Sequence, residues 1–195
     1  MLMRLRLAVA APAYAATTFL VTPAVAHTGH EATGLVAGIL HPFSGVDHMA
    51  AMLAVGLWAA FCGGARIWAW PLAFVTAMLV GGGLGLVGVA IPFVEPGIAT
   101  SLVVLGVLIA LAFEAPLAIG TALIAFFAIF HGHAHGTEAP ADGVTSYAAG
   151  FALATGLLHA SGIALGLGLQ RAVGAIPVRA LGVATAATGA VLLIT

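Results

Sequence analysis

Charged side chains are almost absent from this chain. Of its 195 residues only 6% are charged, whereas 63% are hydrophobic. A soluble domain carries about 25% charged residues, because polar groups must cover its surface. This composition excludes an ordinary water-soluble enzyme. The five basic residues are also too few to neutralise a track of phosphates, which excludes a nucleic-acid-binding protein. The sequence therefore predicts an all-α, polytopic membrane protein.

The first 26 residues have the organisation of a secretory signal peptide. Two arginines precede a mostly apolar stretch, and residues 24–26 (Ala-Val-Ala) form a small-x-small cleavage site. We expect cleavage after this site, so that the mature chain begins at His27, outside the cytoplasm. The alternative is that residues 1–26 remain attached as an additional membrane helix.

The rest of the chain divides into six apolar stretches. A membrane-spanning helix needs about 20 residues, with a range of about 17–25. We therefore predict that residues 27–195 form one domain, a six-transmembrane-helix bundle. Glycine-rich segments such as 81–88 are expected to let its helices pack closely. The predicted spans are 33–62, 68–91, 97–113, 116–130, 144–169 and 177–194.

The arginines predict how these spans are oriented. Arg66 lies between the first two spans, and Arg171 and Arg179 lie at the connection between the last two. With the N-terminus outside, both connections face the cytoplasm, as the positive-inside rule requires. The sequence therefore predicts a bacterial inner-membrane protein whose mature N-terminus is periplasmic.

Ionisable residues inside the first span form one candidate site. Segment 41–48 reads His-Pro-Phe-Ser-Gly-Val-Asp-His, and Asp47 falls roughly 20 Å into the span. Ionisable groups at such depth usually mark a transport path or a site. In an unbroken helix His41 and His48 would stand about 10 Å apart, whereas a break at 42–45 would bring them together. The alternative is an Asp–His pair that only joins two helices.

A second candidate site ends the fourth span, where residues 130–138 read Phe-His-Gly-His-Ala-His-Gly-Thr-Glu. On a helix, His131 and His135 lie about 6 Å apart on one face and can chelate one ion. Glu138 shares that face if the helix continues. His133 is expected to point elsewhere and to collect metal at the surface. The alternative is a polar loop that happens to contain histidines.

Three more residues are candidate ligands, each with a plain alternative. Glu95 precedes a proline at the start of the third span, where capping of the helix and metal ligation are equally good interpretations. His159 lies inside the fifth span and either binds metal or links two helices. His27 either captures an ion at the mature N-terminus or belongs to a polar tail. Imidazole and carboxylate together favour Ni, Co, Zn or Cu over Mg or Ca.

Three segments give the chain a specific resemblance: HPFSGVDHMAAMLAVGLWAA (41–60), EPGIATSLVVLG (95–106) and FHGHAHGTE (130–138). They resemble the HupE/UreJ family of membrane proteins, which is associated with hydrogenase and urease systems and regarded as nickel or cobalt permeases. The resemblance covers the whole mature chain, and His27 fits the branch with a cleaved signal. It implies motif residues at His41, Asp47, His48, Glu95, His131, His135 and Glu138.

The resemblance implies a metal permease with nickel preferred and Co, Cu or Zn possible. Outer ligands would capture the ion; these are Glu95, His131, His135, Glu138 and His27. Ligands within the membrane would then hold it; these are His41, Asp47 and His48, with His159 as a relay toward the cytoplasm. The membrane potential would favour entry of a cation without ATP. Its partners would be the lipid bilayer, the ion, and hydrogenase or urease maturation, with no prosthetic group.

Three other functions remain open at this point. A metal sensor or delivery protein would use the same site without transport. An intramembrane hydrolase would pair Ser44 or Ser161 with a histidine, but the Gly-x-Ser-Gly form of rhomboid proteases and the His-Glu-x-x-His motif do not occur. A haem-binding electron carrier would use histidines on facing helices, although the neighbouring carboxylates suit a metal ion better. We therefore expect no enzyme activity.

Overall fold

Residues 34–195 are described by a computed structural model and contain seven α-helices and no β-strand. The predicted signal peptide, residues 1–26, and His27 lie outside the described residues. The helices are α1 (Leu35–Leu40), α2 (Val46–Cys62), α3 (Arg66–Leu86), α4 (Val94–Ala110), α5 (Leu117–Thr137), α6 (Val144–Val173) and α7 (Ile176–Leu192).

Most of these helices are suited to a bilayer. Three of them, α3, α5 and α6, are long and apolar enough to cross a membrane, and α1 with α2 forms a fourth candidate that is bent by 85°. Helices α4 and α7 are apolar but have 17 residues each, close to the lower limit of about 17 for a span. The chain is thus an all-helical membrane protein, whereas the count of six spans stays a prediction.

The bend between α1 and α2 follows from the local sequence. Residues His41–Phe43 form one turn of 3₁₀ helix, in which Pro42 provides no backbone N–H. Ser44 closes this turn by donating its backbone N–H and its hydroxyl to the carbonyl of His41, at 3.0 and 2.6 Å. Gly45 is then extended (φ −113°, ψ 123°), and α2 begins after it. The predicted break at 42–45 is confirmed.

Glycines bring neighbouring helices into main-chain contact. Helix α3 packs most extensively against α5, and a Cβ atom added at Gly81 or Gly132 would overlap the carbonyl of Ile129 or Met78. The predicted packing role of segment 81–88 is therefore confirmed for Gly81. Glycines bring three other pairs of helices together in the same way. They are Gly56 and Gly162 for α2 and α6, Gly106 and Gly182 for α4 and α7, and Gly38 and Gly150 for α1 and α6.

The bundle has two chemically different ends. At one end, Arg66 Nε donates to the carbonyl of Ala115 at 3.0 Å, and Arg179 Nε donates to the carbonyl of Ala110 at 2.8 Å. This end, with the α4–α5 connection, is termed the arginine end. The two histidine motifs lie at the opposite ends of α2 and α5, which at ~1.5 Å per residue are about 25 and 30 Å long. That side is termed the histidine end.

Candidate metal centre

The bend and the end of α5 bring four histidines into one cluster. The rings of His41 and His48 both contact the ring of His135, with centroids 4.5 and 4.3 Å apart. One helical turn earlier on α5, His131 contacts His48 at 5.0 Å. Two segments that are nearly ninety residues apart in sequence therefore build a single site.

Three potential ligands lie at a polar cavity of about 190 Å³. One ligand atom from each of His41, His135 and Glu138 lies within 4.8 Å of the other two. Nε2 of His41 is 3.2 Å from Oε2 of Glu138, whose side chain is 63% exposed. Helix α5 continues to Thr137 and is capped by Glu138, so this carboxylate reaches the cluster. These three residues, termed the mouth group, can hold one divalent ion within reach of solvent.

His48 lies deeper and is held by its neighbour Asp47. Its Nδ1 lies 2.9 Å from Oδ1 of Asp47, and it is the ring N–H that donates, because a carboxylate only accepts. In the neutral form of the ring, Nε2 of His48 then carries the lone pair, and this atom has no hydrogen-bond partner among residues 34–195. Such a carboxylate–histidine arrangement is common around metal ions, because it fixes the tautomer and orientation of the ligand.

His131 is completely buried and has a different partner, Ser101 of α4. The Ser101 hydroxyl donates to the carbonyl of Ile98 at 2.6 Å, and its oxygen lies 3.1 Å from Nε2 of His131. Nε2–H of His131 is thus the donor. Nδ1 then carries the lone pair, and it lacks a partner in the described part of the chain. His48 is half-buried and lines the same cavity as the mouth group, but its Nε2 is buried like Nδ1 of His131. The two residues are together termed the buried pair.

Sequence reasoning missed Ser101. A small hydroxyl residue in an apolar helix ordinarily packs or bonds to its own helix, and the bond to the carbonyl of Ile98 is of that local kind. Its second contact joins residues that are thirty positions apart, and no local pattern signals such a contact.

The structure divides the ligands differently from the sequence prediction. His41, expected within the membrane, lies with Glu138 in the mouth group. His131, expected at the outer surface, is fully buried beside His48. The bend directs His41 toward the end of α5, and one turn of α5, about 5.4 Å, takes His131 inward from His135.

Glu95 and His133 take different positions around this cluster. Glu95, in the first turn of α4, lines the same cavity as the mouth group. Nε2 of His133 lies 2.7 Å from the carbonyl of Val89 and donates to it, and the side chain is buried. It points away from His131 and His135 as predicted, but the expectation of a surface metal collector is wrong, because this bond holds it against the α3–α4 connection.

His159 lies further along the bundle, in the interior of α6. Its ring is 1% exposed, and neither of its nitrogens has a hydrogen-bond partner within residues 34–195. The ring of Phe74 contacts both His159, at a centroid distance of 5.0 Å, and His131, at 5.5 Å. One aromatic ring therefore lies next to both the buried pair and His159.

Neither of the two serines that the sequence suggested as nucleophiles is activated in the structure. The hydroxyls of Ser44 and Ser161 donate to the carbonyls of His41 and Leu157, so neither is directed at an imidazole. Ser101 does contact a histidine, but it accepts that hydrogen bond while its own proton is directed to a carbonyl. A base-activated serine requires the opposite polarity.

Two comparisons with known proteins give a match. The family model described as HupE / UreJ protein matches residues 15–192, which includes every residue of the cluster. The protein named Protein HupE from Rhizobium leguminosarum bv. viciae is 44% identical over 170 residues, covering 87% of this chain and 89% of that relative. No solved structure matches. A match over nearly the whole chain, together with this relative, shows that the chain belongs to the HupE/UreJ family.

Proposed function

We propose that this protein carries a divalent transition-metal ion, with nickel preferred, from the periplasm to the cytoplasm without ATP. The observation that carries the proposal is a set of buried imidazole nitrogens, on His48, His131 and His135, that have no hydrogen-bond partner among residues 34–195. Buried polar atoms are normally paired, and leaving one unpaired costs about 1–3 kcal/mol. A metal ion would use these lone pairs.

The two groups of ligands suggest two successive positions for the ion. The mouth group offers an exposed carboxylate and two imidazoles, which suits capture of a partly hydrated ion. The buried pair offers two imidazole nitrogens that are themselves buried, and imidazole ligands select Ni, Co, Cu or Zn over Mg and Ca. The ring of His135 contacts both His41 and His48. It is therefore the ligand that would transfer the ion from the mouth group to the buried pair.

Beyond the buried pair, His159 is the next potential ligand. The Phe74 ring contacts His131 and His159, so an ion leaving the buried pair would pass this ring before it met His159. A potential of 100 mV contributes about 2.3 kcal/mol per charge, which favours inward movement of a cation. Delivery to the cytoplasm would then require rearrangement of the arginine end, where side-chain donors bind the α4–α5 connection.

The direct test is the metal content of cells, measured by mass spectrometry. Cells that express the chain, an empty vector or Asp47→Asn would grow in medium with trace Ni, Co, Cu, Zn and Mn. Asp47→Asn keeps the size of the side chain but weakens its hold on His48. We expect a selective gain of nickel in cells with the unmodified chain, and no gain with the variant.

Membrane fractions would show that both forms reach the membrane in equal amounts. A chain that is present there but adds no metal contradicts transport. If the purified protein still binds nickel in that case, the same site serves sensing or delivery.

A further inference from the structure

We infer that Ser101 is a positioning residue, which holds the ring proton of His131 on Nε2 and so keeps Nδ1 available as a metal ligand. The inference rests on the proposed metal-binding function and deepens it. Ser101 lies on α4, whereas both histidine motifs lie on other helices. A third helix would then take part in preparing the buried pair.

The hydrogen bonds of Ser101 leave one polarity for its contact with His131. A serine hydroxyl has one proton and two lone pairs. The proton is used in the 2.6 Å bond to the carbonyl of Ile98, so toward His131, at 3.1 Å, the oxygen acts as acceptor. A neutral imidazole has one N–H. With that N–H on Nε2, Nδ1 has the lone pair, and it is buried without a partner in the described residues.

Asp47 and Ser101 hold the two rings of the buried pair in opposite tautomers. Asp47 keeps the proton of His48 on Nδ1, while Ser101 keeps that of His131 on Nε2. The nitrogens without partners are therefore Nε2 of His48 and Nδ1 of His131, on two rings that meet edge-on with centroids 5.0 Å apart. If the proton of His131 moved to Nδ1, an ion in the buried pair would lose one of these two lone pairs.

The burial of Ser101 makes the arrangement specific. The residue is 0% exposed, so water has no ready access with which to replace the lost acceptor. An ordinary back-bonded serine would contact only its own helix. The additional bond to a completely buried histidine is what gives this hydroxyl a role in the orientation of a ligand. Partners of this kind typically change metal affinity by 10- to 100-fold when removed.

The experiment compares three variants of the full chain in detergent. Ser101→Ala removes the acceptor, Ser101→Thr restores a hydroxyl, and Thr155→Ala removes another completely buried hydroxyl, one that contacts the sulfur of Met78. Nitrogen-15 NMR of histidine-labelled, metal-free protein reports the tautomer of His131, whose signal is identified by its loss in His131→Asn. Calorimetry with Ni²⁺ alone reports the affinity.

We expect Ser101→Ala to shift His131 away from the Nε2–H tautomer and to weaken Ni²⁺ binding by roughly 10- to 100-fold. Ser101→Thr should recover both properties, and Thr155→Ala should change neither. A Ser101→Ala protein that keeps the Nε2–H tautomer overturns the inference, as does one that changes tautomer and binds Ni²⁺ as before. If the unmodified protein binds no Ni²⁺, the proposed function fails, while the NMR measurement still decides whether Ser101 sets the ring.

Discussion

The polar side chains at the two ends of this bundle differ in whether they are hydrogen-bonded. At the arginine end, the side-chain N–H groups of Trp58, Arg66 and Trp70 donate to carbonyls of segment 113–117, at 2.9, 3.0 and 3.2 Å. Phe113 and Ala115 lie between α4 and α5, so the backbone of neither helix supplies a donor for their carbonyls. Here long side chains from α2 and α3 supply the missing donors and fasten the α4–α5 connection.

At the histidine end, several imidazole nitrogens are buried without a hydrogen-bond partner in the described residues. Both nitrogens of His135, and one each of His48 and His131, lack a hydrogen-bond partner within residues 34–195. Unpaired buried groups lower stability, so this end gives up stability that the arginine end retains. Hydrogen-bond satisfaction thus separates the part of the molecule that holds the fold from the part that contains the proposed metal site.

The largest expected effect comes from removing the central ligand of the histidine end. His135→Gln should reduce nickel accumulation to the level of the empty vector, because His135 contacts the rings of both His41 and His48. His133→Gln is the matched control, since His133 lies two residues away but is directed at the carbonyl of Val89. Mass spectrometry of washed cells gives the readout. Equal loss of nickel accumulation in both variants would show that a disturbed α5 helix, and not a missing ligand, causes the effect.

A second variant tests whether buried imidazoles without hydrogen-bond partners lower the free energy of unfolding. His159→Leu should raise the free energy of unfolding by about 1–3 kcal/mol, because it removes two buried nitrogens without partners in the described chain. His133→Leu should lower it by about 1 kcal/mol, because its bond to the Val89 carbonyl is lost. Denaturation of the purified protein in detergent measures both. A shift of the same sign in both variants would contradict the link between unpaired imidazoles and lower stability.

Gly45 tests how tightly the Asp47–His48 pair is placed. A Cβ atom at Gly45 would lie 2.6 Å from Oδ1 of Asp47 and 3.1 Å from Nδ1 of His48, so Gly45→Ala must displace that pair. We expect about tenfold weaker Ni²⁺ binding, at the low end of the range for indirect partners. Gly156→Ala is the control, since no atom lies within 4 Å of its added Cβ. Unchanged affinity in Gly45→Ala, measured by calorimetry, would contradict this account of the pair.

The smallest effect is expected at the arginine end. Arg66→Met should lower the free energy of unfolding by about 1 kcal/mol, since it removes hydrogen bonds to the carbonyls of Ala115 and Cys62. Ni²⁺ affinity should not change. Arg171→Met removes the same charge from an exposed position and should leave stability within error. A drop in Ni²⁺ affinity for Arg66→Met would show that the two ends are coupled.

Local sequence features predicted the backbone of the site. Pro42 and Gly45 alter the backbone at their own positions, so the sequence alone predicted the break before α2. Helical periodicity likewise placed His131 and His135 on one face, and both rings do contact His48. These predictions needed no knowledge of how the helices pack.

The assignment of ligands to two positions could not be predicted in this way. Whether His41 or His131 is the deeper residue depends on the angle of the bend and on where α2 meets α5. The role of Ser101 depends on the approach of α4 to α5. These are contacts between distant segments, and hydropathy and spacing within one segment do not determine them.

The glycine contacts between helices have a consequence for how this sequence can change over time. Gly81 of α3 and Gly132 of α5 pack directly against backbone of the facing helix, so any larger residue at these positions would separate the two helices. Exposed apolar positions such as Leu72 and Leu153 can exchange one apolar side chain for another at little cost. Saturation mutagenesis should therefore find the narrowest choice of amino acids at Gly81 and Gly132, and a wider choice at Gly156, whose added Cβ would meet no atom within 4 Å.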